Sequence, residues 1–251
     1  MDDIKDMFKN YQIRQHITRI QKQEVANRPI PQPPKEESQP KYKDKIVIVG
    51  AGVAGINAAT KLVDGGYPGE LITIIDKGND PHNRLPEEVM TGMLGAGGWS
   101  DGKLTYHTAI GGQLSKYCGD DKAMELMDQV ISNFKRFHPK PDEIMLSNPE
   151  AEPDFIKPYF GLRLFPVWHI GTDYLQQIAI NWYQYLLDKG VNFEWETEVN
   201  KIEFANNKLH YCRMWHYEPQ CEWISYDKII FAVGKSGIDF AQQLSNKYSA
   251  T

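Results

Sequence analysis

The chain has 251 residues, 41% of them hydrophobic, and a formal net charge of -5. That length builds one large core or two small ones, and a mildly acidic chain carries no broad basic field for nucleic acid. No apolar run approaches the roughly 18 residues of a membrane span, and MDDIKDMFKN at the start has no apolar signal core, so a soluble, cytoplasmic protein with neither membrane nor nucleic-acid partner is expected.

Residues 1–28 read as one helix, with Ile4, Met7, Phe8, Tyr11, Ile17 and Ile20 at helical spacing among charges. Residues 29–44 form a proline-rich linker, because proline lacks the donor that a helix or a sheet needs. The tethered helix either docks on its own domain, binds a partner or a second copy, or frays. The globular part occupies 45–251.

That part opens with KIVIVGAGVAGINAATKLVDGG. Ile46 to Val49 are wholly apolar and β-branched, as in a strand buried on both faces of a parallel sheet. Val53, Ile56, Ala59, Leu62 and Val63 then follow helical spacing, and Leu71 to Asp76 read as a second buried strand. Strand, helix and strand at this length make a βαβ unit.

Gly50-Ala51-Gly52-Val53-Ala54-Gly55 is GxGxxG in the context a dinucleotide fingerprint needs: after a buried strand, opening a helix, with Asp76 ending the next strand. Gly50 suits a tight turn, Gly52 a close backbone approach to a pyrophosphate, and Gly55 close packing of helix on strand. Asp76 is expected to accept hydrogen bonds from an adenosine ribose. The alternative is a glycine-tight turn that holds no ligand.

Further along, helices are expected at about 121–137 and from about Asp173 to Gly190, with Asp173 as N-terminal cap and Gly190 as stop. Short β stretches follow, with Asn206-Asn207 as a hairpin turn, then the buried strand KIIFAVGKSG and a short last helix. The three cysteines, Cys118, Cys212 and Cys221, contain no CxxC. They are expected to make neither a disulfide framework nor a metal site, although Cys212 and Cys221 could sit on neighbouring strands.

Two features resemble two-dinucleotide flavoproteins and favour FAD over NAD. Ala232, Val233 and Gly234 end a strand that resembles the one beside the cofactor there, and Val199 lies in a stretch that resembles the strand meeting the adenine. DKGNDPHNR, GAGGWSDGKLT, HIGTDYL and IIFAVGKSGIDF follow in that order. Together they resemble the FAD-dependent "NAD(FAD)-utilizing dehydrogenases", over roughly Lys45 to the C-terminus.

The resemblance implies an α/β fold: a Rossmann-like FAD-binding domain with a parallel sheet, interrupted by a helical and β insertion at about 79–190. It implies cofactor contacts at Asp76, Lys77, Gly78 and Arg84, the last through a phosphate, unless Arg84 is a plain surface residue. Gly97, Gly98, Ser100, Asp101, Gly102 and Lys103 are similar to a flavin-facing loop. Lys103 would stabilise negative charge on reduced flavin. His169 would be an acid–base group or would orient a helix start. The chain departs from the pattern at Trp99, Lys235 and Gly237. Members of the family run on for about as many residues again, so either a second chain completes the flavin site or this is a reduced version.

Four functions follow. The first is an FAD-dependent oxidoreductase acting on a small-molecule substrate, with NAD(P) as one candidate electron donor or acceptor. The others are one subunit of a split flavoenzyme (or a homo-oligomer), a non-catalytic FAD- or nucleotide-binding protein, and an NAD-binding protein without flavin.

Overall fold

A computed structural model describes residues 42–147, 161, 164–213 and 219–248. The expected helix over 1–28 and nearly all of the linker lie outside the described residues. In chain order the strands and α-helices are β1 (Ile46–Val49), α1 (Val53–Asp64), β2 (Ile72–Ile75), β3 (Lys103–Thr105), α2 (Leu114–Cys118), α3 (Asp120–Phe137), β4 (Met145–Ser147), β5 (Val167–His169), α4 (Leu175–Asp188), β6 (Asn192–Glu194), β7 (Thr197–Glu203), β8 (Lys208–Arg213), β9 (Gln220–Ser225), β10 (Lys228–Phe231) and α5 (Ile238–Tyr248).

Four strands form a parallel sheet in the order β10-β1-β2-β6. All four residues of β1 are buried, as their wholly apolar run requires. Side chains alternate across the sheet, so the two faces take different covers. Ile46, Ile48, Ile72 and Ile74 pack in one core with Ile56 and Ala59 of α1, Phe134 of α3, and Ile178, Trp182 and Leu186 of α4. Val47, Val49 and Ile75 pack in the other with Val199, Ile202, Leu209 and Tyr211, and against Phe240 and Leu244 of α5. The cover on that second face is a separate antiparallel sheet, β7-β8-β9. The chain therefore has a Rossmann-type α/β architecture of three layers.

Trp182 is fully buried. It stacks on Phe137 at 4.9 Å and meets Phe134 edge-on at 5.6 Å between centroids. Its indole N–H donates to Thr60 Oγ1 at 2.7 Å, tying α4 to α1. Thr60 in turn donates to Ile56 O, so every polar atom in this contact is matched.

The expected elements recur with small shifts. The second strand starts at Ile72, because Gly69–Leu71 form a 3-10 turn. Asp173 makes no capping hydrogen bond; a 3-10 turn, Thr172–Tyr174, leads into α4 instead. Gly190 ends α4 with φ +85°, and Asn207 turns the β7–β8 hairpin with φ +49°. Between β2 and β6 lie the helices α2 to α4 and a small antiparallel sheet in the order β3-β5-β4. Those three-residue strands went unread in the sequence, as did β9. Strands of three residues show no period, and β3, β4 and β5 lie tens of residues from their partners.

Replacing Trp182 with Ala removes the ring that joins three helices. Its expected cost is about 3–5 kcal/mol of unfolding free energy, read by denaturant titration.

Candidate functional site

The order β10-β1-β2-β6 places a switch point at β1. The chain goes from β1 to β2 on one side, and β10 returns on the other. In such sheets ligands bind outside the carboxyl ends of the strands at that point. A cavity of about 830 Å³ opens there, within the range of cofactor sites.

Its floor is the glycine turn. Gly50 has φ +107°, and a Cβ on it would lie 2.4 Å from Ala232 O. A Cβ on Gly55 would lie 1.9 Å from Gly50 O, so the start of α1 presses directly on the turn. Gly52 differs: a Cβ there would meet nothing within 4 Å, and its φ of -66° suits any residue. That space belongs to the cavity, which Gly50, Gly52, Val53 and Ala54 all line. Gly52 caps α1 with no side chain, and the first turn has no acidic residue. First-turn amides have no partner within a helix, so this end of α1 offers N–H donors and the positive end of its dipole to an anion.

Asp76 lines the same cavity and is only 9% exposed. Its Oδ2 accepts from the Ala51 amide at 2.7 Å, and its Oδ1 from the amides of Gly78 at 2.8 Å and Gly92 at 2.7 Å. Most of the acceptor capacity expected to meet a ribose thus holds protein amides, leaving about one of four lone-pair sites.

The loop that Asp76 grips closes another side. Leu94 N donates to Ala51 O at 2.8 Å, and Leu94 forms a bridge with Gly52. Leu94 is fully buried with φ +63°, a conformation rare for a branched side chain. Gly95, Ala96 and Gly97 then line the cavity.

Arg84 locks this loop. Its Nε and one terminal nitrogen donate to Glu88 O at 3.1 and 2.7 Å. Further bonds reach Met93 O at 2.7 Å, Gly95 O at 2.8 Å and Val89 O at 3.2 Å. Partial burial pulls its pKa below the ordinary arginine value, against Glu88 and Asp76, which pull it up. Trp99 stacks over the guanidinium at 5.2 Å. Arg84 is not among the lining residues: the donors expected to meet a phosphate are spent on carbonyls.

The remaining expected residues divide. Lys77, Gly97, Val199, Ala232, Val233 and Gly234 line the cavity. Ala51 is buried behind it, with its amide on Asp76. Gly98, Ser100, Asp101, Gly102, Lys103 and His169 do not line it. The structure does bring Lys103 and His169 together as cross-strand partners of β3 and β5. Lys103 pairs with Asp101 at 3.0 Å, both well exposed, and the hydrogen bond from Lys103 holds the Asp101 carboxyl below its ordinary pKa. A ring nitrogen of His169 bonds Ser147 Oγ at 2.9 Å. Sequence reasoning missed Thr197, Asn200 and Phe240 as lining residues. The bulge between Val199 and Lys201 that places Asn200 there has no sequence signal.

No protein-family model matches the chain, and no curated protein matches it. Several solved structures are similar to the chain at low likeness. The flavoprotein/dehydrogenase from Cytophaga hutchinsonii is 15% identical with a TM-score of 0.44, over 83% of this chain and 42% of that one. The L-amino acid deaminase from Proteus vulgaris is 12% identical with a TM-score of 0.43, over 81% and 56%. The glycine oxidase from Bacillus cereus is 12% identical with a TM-score of 0.40, over 76% and 55%. The chain thus spans 42–56% of the length of these proteins.

Two variants separate packing from ligand approach. Gly55→Val drives a side chain into Gly50 O and is expected to prevent folding, whereas Gly52→Val stays within about 0.5 kcal/mol of the parent; thermal melts decide. Arg84→Met is expected to speed amide exchange at Leu94, Gly95, Gly97 and Gly98 about tenfold or more, through the loss of ~1.5 kcal/mol or more of charged hydrogen bonding.

Proposed function

We propose that this chain binds FAD in the cavity at the switch point and serves as a flavin-dependent oxidoreductase. One observation carries the reading: the open space at Gly52, set against an uncapped helix start. A side chain is sterically welcome at that position, yet the sequence keeps it bare, as a phosphate pressed on the backbone requires.

The residues present fit a dinucleotide. The α1 amides beside Gly52 would hold the pyrophosphate, with the cations of Lys77 and Lys235 on the cavity lining. The remaining acceptor site of Asp76 is available to a ribose hydroxyl. Asn200, out of register at the β7 bulge, offers backbone groups to an adenine beside Val199. Ala232, Val233 and Gly234 bring the β10 backbone alongside. Bound FAD supplies the hydride and electron transfer that no side chain can perform. The protein's share is to orient the cofactor, exclude water with the 93–97 loop, and place charge near it.

A second reading, FAD binding without catalysis, is favoured by a separate observation. Lys103 and His169, the side chains expected to assist the chemistry, do not line the cavity. Both readings require flavin retention. Only the first requires that substrate bleach the flavin.

The purified chain mixed with FAD and desalted is expected to keep about one flavin per chain and to show bands that dithionite bleaches. Gly52→Val, folded as the parent, is expected to lose at least about tenfold in FAD affinity, read by flavin fluorescence. A colourless parent chain would overturn the assignment. A coloured chain that no amine, amino acid or hydroxy acid reduces would favour the second reading.

A further inference from the structure

Away from the glycine turn, on the face of the β7-β8-β9 sheet, three soft or borderline donors converge. His210 and Cys212 are two apart on β8 and share a face. Cys221 on β9 stands opposite Cys212 in register, and the two sulfurs are joined as a disulfide. A ring nitrogen of His210 and both sulfurs lie within 4.8 Å of one another. Cys212 is buried, His210 half-buried and Cys221 exposed, so the group opens to solvent on one side.

Asn200 holds two of the three. Its Oδ1 meets His210 Nδ1 at 2.6 Å, and its Nδ2 donates to Cys212 Sγ at 3.1 Å. A carbonyl on Nδ1 keeps the proton there and leaves the Nε2 lone pair free; an amide N–H on sulfur stabilises a thiolate. Both are the outer contacts that metal-ligating side chains use. A disulfide alone needs neither.

We infer that, once the bridge is reduced, His210, Cys212 and Cys221 bind one thiophilic divalent cation of the zinc class. The balance is simple. A dithiol reductant gives two electrons and two protons; the S–S bond breaks, two thiols form, and the reductant becomes a cyclic disulfide. Cation binding then displaces the two thiol protons. Two thiolates and one imidazole suit Zn²⁺ in tetrahedral geometry, with water at the fourth position. Bridge and cation exclude each other, because a disulfide has no thiolate to give. Asn200 also lines the switch-point cavity, so the state of this site bears on one wall of that cavity. The inference itself does not depend on what the cavity binds.

Cobalt(II) reports the site directly. The exposed Cys118 is a third thiol, so the background is Cys118→Ser. Reduced with a phosphine and titrated anaerobically, this protein is expected to bind one cobalt. The signature is sulfur-to-cobalt charge-transfer bands with strong tetrahedral bands, which equimolar zinc abolishes. The oxidised protein is expected to show none. Adding Cys212→Ser with Cys221→Ser removes the bands, and Asn200→Ala weakens binding by about 10- to 100-fold, as the loss of an outer contact does. The proposal is overturned if the reduced protein keeps its far-UV circular dichroism but shows no bands, if reduction unfolds it, or if the bands survive the double serine change.

Discussion

The Asp76 carboxylate is the joint on which the cavity depends. Three amides from three segments converge on it: Ala51 of the glycine turn, Gly78 after β2, and Gly92 of the loop beyond. A buried charge is tolerated only when it is well hydrogen-bonded, and amide donors to a carboxylate are among the stronger neutral partners it can have. Asp76 therefore sets the distance between the turn that cradles a ligand and the loop that covers it. Arg84 completes the arrangement from the other side by gathering the carbonyls of the same loop. Between them these two side chains hold Leu94 in its left-handed backbone conformation against Ala51.

The second constraint is the sheet itself. A parallel strand with apolar residues at every position must be covered twice, and β1 meets helices on one face and an antiparallel sheet on the other. That second cover does more than bury Val47 and Val49. Its first strand brings Val199 and Asn200 to the cavity, and the pairing of β8 with β9 brings His210, Cys212 and Cys221 to one patch. Asn200 belongs to both places. A packing requirement of the core thus puts a sulfur-rich patch and a cofactor-sized cavity on the two sides of one residue.

Much of the fold was legible because its signals are local. A four-residue apolar run, a glycine-bounded helix and a second apolar run lie within Ile46 to Asp76, and the structure forms β1, α1 and β2 there. What escaped was built by pairing across distance. The strands β3, β4 and β5 have three residues each, too few for a period, and β5 draws partners from about Lys103 and about Met145. The roles of Arg84 and Asp76 escaped for a related reason. An arginine or an aspartate has the same appearance in a sequence whether its partner is a phosphate, a ribose or a backbone group.

The sequence by itself determined the βαβ unit, the glycine-rich turn between its strand and helix, and the run of residues that must be buried on both sides. Periodicity and the steric limits of the backbone are properties of neighbouring residues, so they can be read along the chain. Only the tertiary structure decided which expected site residues reach the cavity, that Arg84 serves the loop, and that Cys212 and Cys221 face each other beside His210. Those outcomes depend on sheet register, on a one-residue bulge at Asn200, and on which carbonyls and amides the fold brings to a charged group. None of these is a property of neighbours in sequence.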